Sequence, residues 1–390
     1  MGSGESPRLA DLASATPTTR DRYVDFLRAF SVLVVVFGHW LGAAIAWRGG
    51  VLSAQSALDV VPGLWVITWF LQVMPIFFFV GGFSNFVTYQ GLRRLDEGGW
   101  TFLRGRASRL LRPTAVFLLF WVMVAPLAIR LPALPPDAGS KALPVLIGPL
   151  WFLGVYLILV ALSPLMVNLH LRYRWPTLAA LVVLPVAVDV IRFVGEVAWI
   201  GNVNIVFVWL LIHQLGFFYA DGSFDRLPVR FLGLLALFGY GLMFALTRLA
   251  TYPSSMVGCC ADEISNMAPP TLAILALGVG QIGLAMLLRP AVTRWLGRKR
   301  PWTTVIAVNA TIMTIYLWHL SALVIAVATL FPLGFPQPEV GSAAWWAIRP
   351  LWLAALAFPL AGLVALFGRF ERPDLDPAER DWNLEKFYAL

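Results

Sequence analysis

Ten stretches of about 20 predominantly apolar residues recur along this chain, at approximately 24–47, 63–89, 110–129, 146–168, 176–194, 203–220, 229–249, 269–288, 303–329 and 346–367. Each is long enough for one helical crossing of a bilayer's hydrocarbon core. Only 13% of the residues are charged, whereas a soluble domain carries roughly 25%; too little polar surface is left to cover a globule, so lipid covers the rest. A length of 390 residues would allow two or three soluble domains, but the even recurrence predicts one all-α, polytopic transmembrane bundle of about ten spans over 23–367. Short polar tails at 1–22 and 368–390 flank it. Pro75, Pro126, Pro164, Pro185 and Pro359 fall inside the apolar stretches, where neighbouring groups can re-satisfy the freed carbonyls.

The net charge is +8, which in a soluble protein would suggest nucleic-acid binding. Here its placement decides otherwise, and no nucleic-acid partner is expected. With the N-terminus inside, alternation of ten spans puts 22 of the 29 lysines and arginines on the cytoplasmic side. Among them are Arg8, Arg20 and Arg22, the six arginines from Arg93 to Arg112, the cluster from Arg289 to Arg300, and Arg369, Arg372, Arg380 and Lys386. Opposite loops hold only Arg48, Arg130 and Lys141. Positive charge stays inside, so both termini are expected to be cytoplasmic. Trp47, Trp65, Trp100 and Trp302 sit near span ends, as interfacial aromatic residues do. The apolar stretch after Arg22 is too long for a signal h-region, and the start Met-Gly-Ser-Gly-Glu-Ser is read as a chance match to the myristoylation pattern. The adjacent Cys259 and Cys260 suit neither a disulfide framework nor a metal site and are expected in an ordinary loop.

Ionisable groups inside spans are costly and turn toward a bundle interior or cavity. The first span is the most informative. At 100° per residue, Arg28 and His39 lie within about 20° of one face, about 16 Å apart along the axis. Asp25, Val32 and Val35 complete that stripe. His319 and His213 reach comparable depth in other spans, as do Asp189 and Gln72. Histidine suits general-base work near neutral pH. A satisfied interhelical hydrogen bond is the expected state of His213, and Asp25 is expected to pair with Arg28 at the interface.

A second feature is the segment Arg93–Arg112, which contains Phe102-Leu-Arg104-Gly-Arg106-Ala-Ser-Arg109-Leu-Leu-Arg112 and is expected to be a loop. It can serve orientation and contact with anionic lipid heads, or clamp the phosphates of a cytosolic ligand, whose oxygens match guanidinium forks. Gly278-Val-Gly280 lies within a span and is read as a site of close helix packing. No nucleotide-binding glycine loop, zinc motif or nucleophile elbow occurs, and no metal is expected.

Taken together, these residues resemble the membrane-bound acyltransferase family 3. Asp25-Phe-Leu-Arg28 through His39 is similar to its first-span R-x10-H motif, and Arg104-Gly-Arg106 to its R-x-R motif. Phe77-Phe-Phe-Val-Gly-Gly-Phe83 resembles F-F-x-x-S-G-F, Trp151-Phe-Leu its fourth-span W-F-L, and Tyr316-Leu-Trp-His319 its Y-L-x-H. Gly81 stands where the family usually has Ser, and Ala29 where it often has Gly. The resemblance implies transfer of an acyl group, by default acetyl, from acyl-CoA as co-substrate to a hydroxyl on a sugar, glycolipid or polyketide-like product. It places the protein in the plasma (inner) membrane, in contact with membrane lipid. A homo-oligomer, or a separate extracytoplasmic transferase receiving the group, remains open as a partner.

On that resemblance His39 is the expected general base, with a covalent acyl-histidine relay as the other open route. Asp25 and Arg28 would hold the donor end. Arg104, Arg106 and Arg109 would meet the coenzyme phosphates, with Trp151 and Tyr316 as further binding residues. His319, with Tyr316, would bind the acceptor or polarise the carbonyl. The competing reading is a proton-coupled transporter or flippase, although paired half-repeats with interrupted helices, the mark of a transporter site, are not legible in the sequence.

Overall fold

The computed structural model describes residues 16–17, 20–128, 135, 137–258 and 264–371. Cys259 and Cys260, the myristoylation-like start, Arg8, Arg130, and the tail from residue 372 with Arg372, Arg380 and Lys386 lie outside the described residues.

The chain is almost wholly helical, and among the described residues ten helical segments are long and apolar enough to cross a membrane. In chain order, α1 (Arg22–Gly42) leads into a hairpin of β1 (Ala43–Arg48) and β2 (Val51–Ser56), followed by α2 (Met74–Arg94), α3 (Gly99–Ala128), α4 (Ala138–Ile147), α5 (Leu150–Arg172) and α6 (Arg174–Phe193). Then come α7 (Asn204–Ala220), α8 (Val229–Leu249), α9 (Leu272–Leu296), α10 (Lys299–Asn309), α11 (Ile312–Leu330) and α12 (Ala343–Phe367). With alternating direction of successive spans, Arg192 and Arg248 close α6 and α8 at one end of the bundle, while most span-end arginines, among them Arg22, Arg93, Arg94, Arg172 and Arg294, fall at the opposite end. Tyr219 donates to Asp21 and Asn309 to the Asp25 carbonyl there. At the other end the hairpin docks on the α11–α12 connection, where the Trp47 amide donates to Gln337.

Three sequence expectations give way. The first span ends at Gly42 rather than residue 47, because Gly49 and Gly50, with φ of 57° and 80°, supply the two positive-φ positions of a tight hairpin turn. Arg104–Arg112 is not a loop but the opening turns of α3; the run from Trp100 to Arg112 is rich in leucine and arginine and has no proline, which outweighs its one glycine, Gly105. The stretch 303–329 is two elements, with α10 at the arginine-rich end and a fresh helix starting at Ile312. His319 is therefore seven residues into α11, not sixteen.

Two spans are interrupted, which the sequence did not reveal. Before α2 the chain leaves helical geometry at Gln72, with φ −76° and ψ 87°, and restarts with Pro75 in the first turn. Gln281 donates to the freed Gln72 carbonyl at 2.9 Å, and Gln72 donates to the Met256 carbonyl. The second break is Gly148–Pro149, between α4 and α5, where the Tyr316 hydroxyl donates to the Pro149 carbonyl at 2.7 Å. Backbone groups freed inside lipid must find partners within the protein, and these buried polar side chains supply them.

Small residues let the central helices touch. A Cβ on Gly82 would lie 1.9 Å from the His213 carbonyl oxygen, and one on Gly216 would lie 2.2 Å from that of Phe79, so α2 and α7 meet backbone to backbone. Gly278 fits against Ile212 and Pro75, and Gly280 against Tyr240; the Gly278-Val-Gly280 run is a packing site. His213 is fully buried and takes a 3.0 Å bond across the helices from Asn85, the interhelical contact its sequence position suggested. The Gly82→Leu change forces α2 and α7 apart and is expected to cost about 1–3 kcal/mol. A lowered unfolding temperature of the purified protein checks this, and an unchanged temperature contradicts it.

Candidate functional site

α1 starts after Asp21, whose carboxylate accepts from the Tyr23 and Val24 amides and caps the helix. From there it carries the stripe Asp25, Arg28, Val32, Val35, His39 inward. Phe30 and Phe37, exposed on nearly the opposite side of the helix, mark its lipid-facing surface. His39 is exposed too, but about 160° away from Phe37, on the side where Val32 and Val36 are buried. The His39 ring is therefore accessible on the side of α1 that carries the stripe.

Behind His39 lies a fully buried partner. His39 Nδ1 and His319 Nε2 are 2.8 Å apart, and their rings stack with centroids at 5.1 Å. The other nitrogen of His319, Nδ1, sits 2.5 Å from the Tyr316 carbonyl oxygen. A carbonyl only accepts, so His319 Nδ1 carries its hydrogen and Nε2 is left with a lone pair. His39 Nδ1 must then be the donor, which leaves His39 Nε2 unprotonated and free to accept. The Trp40 indole donates to the His319 carbonyl at 2.9 Å and ties the same turns of α1 and α11 together. The chain Tyr316 carbonyl, His319, His39 thus fixes both ring orientation and tautomer.

The arginine-rich end of the stripe is equally ordered. The buried Asp25 carboxylate meets Arg20 at 2.5 Å and Arg28 at 3.5 Å. Arg28 donates to Ser84 Oγ at 2.6 Å, and Arg106 donates to the Ser84 carbonyl at 2.7 Å and to Thr88 Oγ1 at 2.5 Å. Arg109 stands within electrostatic reach of Arg28, Arg20 and Glu371. Two guanidiniums, Arg28 and Arg106, meet at one serine, and with Arg109 in reach of Arg28 they form a positive site able to receive a polyanion.

Not every residue singled out from sequence joins this assembly. Arg104 is exposed, about 200° around α3 from Arg106, because an R-x-R spacing on a helix points its two side chains apart. Trp151 is exposed and touches Phe152; it is Phe152 that packs on Tyr316, with ring centroids at 5.3 Å. The Tyr316 hydroxyl hydrogen is engaged by Pro149. Asp189 serves elsewhere, accepting from Asn204, Tyr252 and the Leu272 amide. Ser84 was missed, although its signal was present: a serine and Thr88 four residues apart place two oxygens on one helical face, directly after the Phe77–Phe83 motif.

Glu371 holds the base of α11. Its carboxylate accepts from the Met313 and Thr314 amides and from Thr314 Oγ1, each within 2.9 Å, capping the helix that carries Tyr316 and His319. Burial pushes this carboxyl above its ordinary value of 4.5, against the opposing pull of those donors.

A family model described as an acyltransferase domain matches residues 21–368, and with ten candidate spans the chain is a membrane acyltransferase. More particularly, it belongs to acyltransferase family 3, the family its motifs resembled. No curated protein and no solved structure matches the chain.

Because the folded chain holds the Glu371 proton more tightly than the unfolded chain does, that group's contribution is present below pH 4.5 and is lost as pH rises through the raised value. Glu371→Gln is expected to remove this falling component from a plot of unfolding temperature against pH. Parallel curves for the two proteins would contradict the assignment.

Proposed function

We propose that this membrane acyltransferase moves an acyl group, by default acetyl, from cytosolic acyl-CoA to a hydroxyl of a cell-envelope glycan, glycolipid or natural product, with His39 as general base. The observation that carries this reading is the tautomer-fixed pair: His39 carries a bare Nε2 on an exposed ring, and His319 backs it. The arginine-rich end faces the cytoplasm in this reading, consistent with the distribution of positive charge. Coenzyme phosphates meet Arg106 and Arg109 with Arg28 beside them. The pantetheine arm runs along the stripe, whose length of about 16 Å from Arg28 to His39 suits a long, thin chain.

At the far end His39 Nε2 takes the acceptor hydroxyl proton as that oxygen attacks the thioester carbonyl carbon. The tetrahedral intermediate collapses with cleavage of the C–S bond, and the imidazolium returns its proton to the departing sulfur, giving an ester and free coenzyme thiol. His39 becomes cationic only transiently. Its Nδ1–H points at the His319 lone pair, and the Tyr316 carbonyl polarises His319 in turn, so the chain stabilises that charge where it develops. His319 acts here as a positioning residue rather than as a group that touches substrate. The two interrupted spans match the transporter reading in form, but their freed carbonyls are taken by Gln281 and Tyr316 rather than turned toward a cargo site.

His39→Ala is expected to lower acyl transfer by about 10²–10⁴-fold, the range for loss of a general base, while acyl-CoA binding persists; normal turnover would remove His39 from the mechanism. His319→Asn is expected to cost less, to fall on kcat rather than on KM for acyl-CoA, and to alter the pH profile. An unchanged profile with an unchanged kcat would reduce His319 to packing.

A further inference from the structure

Beyond the histidine pair, the hairpin end holds two adjoining cavities of opposite character. One, of about 280 Å³, is lined by Arg349, Trp345, Gln337, Glu339, Gln55 and Ser53. The other, about 500 Å³, is almost purely apolar and lies between α3, α4 and α11, where Trp121, Val122, Ala142, Leu146, Leu323 and Val327 face it. Ile45 belongs to both walls. It sits on β1, three residues past the end of α1 and six past His39. Leu323 is one helical turn beyond His319, and Trp121 donates to Ser321 between them. The lining of the apolar groove therefore begins one helical turn past His319, at Leu323, and Leu118, Val122 and Leu143, all exposed, open it sideways toward the bilayer.

The polar cavity contains an unpartnered cationic donor atom, beside a lining that includes Glu339. The Arg349 guanidinium lies 3.8 Å from the centre of the Trp345 ring, and its Nε is 3.4 Å from the Trp345 carbonyl, while its buried Nη1 has no acceptor among the described residues. A cationic donor buried without an acceptor is unfavourable, and an anionic oxygen is the group that resolves it. The pairing of a bilayer-open hydrocarbon groove with an anion-seeking pocket across one shared residue describes a single kind of occupant.

We propose that the acceptor is an amphiphilic lipid entering from the bilayer, its hydrocarbon tail in the α3–α4–α11 groove and a phosphate or carboxylate of its headgroup on Arg349. This deepens the acyltransfer reading and rests on it for the word acceptor; the lipid site itself is tested separately. The tail supplies residence through burial of apolar surface, and Arg349 selects headgroups by charge. The hydroxyl to be acylated belongs to that headgroup, which lies between the two cavities and the exposed His39.

The protein in nanodiscs is exposed to phosphatidylglycerol carrying a diazirine in its tail, and to the matching phosphatidylcholine, and adducts are mapped by mass spectrometry. Adducts are expected to concentrate in 117–126, 138–147 and 323–328. The anionic lipid is expected to label about tenfold more strongly than the zwitterionic one, the ratio a charge-assisted hydrogen bond contributes. Arg349→Gln should erase that preference without abolishing tail labelling. Ala142→Trp, or Val324→Trp should the first fail to fold, should abolish both. Uniform labelling of the lipid-facing helices, α8 included, overturns the proposal. So does labelling of the groove by a diazirine-tailed acyl-CoA in place of lipid. Thiol release from acetyl-CoA is followed in parallel: its absence with every acceptor defeats the acyltransfer reading, while the adduct map still decides the lipid site.

Discussion

The proposed chemistry depends on one short hydrogen bond, from His319 Nδ1 to the carbonyl of Tyr316 in its own helix. A carbonyl cannot donate, so that contact forces the tautomer of His319, and through the 2.8 Å contact to His39 it forces the second tautomer as well. Two neutral imidazoles become a directional chain with one free lone pair at its end. In a hydrolase triad the distal group is a carboxylate; here a carbonyl and a second imidazole stand in that place. The arrangement avoids burying an anion in the membrane core, where its desolvation would be severe.

Holding that chain in register requires a rigid frame, and the frame consists of polar contacts inside an apolar shell. Trp40 ties α1 to the His319 carbonyl, Tyr316 seals the break at Pro149, and Glu371 caps the start of α11. Each satisfies a backbone group that lipid cannot. Glycines at 82, 216, 239, 278 and 280 then bring α2, α7, α8 and α9 into direct contact.

The span count and the inward stripe of α1 were legible in the sequence because both depend only on hydropathy and on 100° per residue. The family was legible too, through five short motifs in order. What was not legible depended on where helices stop. Running one span from 303 placed His319 nine residues too deep and concealed how it meets His39. Reading Arg93–Arg112 as a loop concealed that Arg104 and Arg106 point apart, which a helical count would have revealed. The hairpin had a visible signal in Gly49-Gly50, overridden by the apolar run before it. Trp151 drew notice over Phe152 because tryptophan is rarer, yet the phenylalanine makes the contact. Ser84, which joins Arg28 to Arg106, has no charge and little bulk, and its one mark in the sequence is the four-residue spacing from Thr88.

The central claim is that the donor lies along α1 with its phosphates at the arginine cluster and its reactive end at His39. A cryo-EM structure of the protein with a non-cleavable thioether analogue of acetyl-CoA tests this most directly. The account predicts phosphate density at Arg106 and Arg109 and the analogue's carbonyl beside His39 Nε2. Phosphates at the hairpin end, or a carbonyl group distant from the histidine pair, would contradict it.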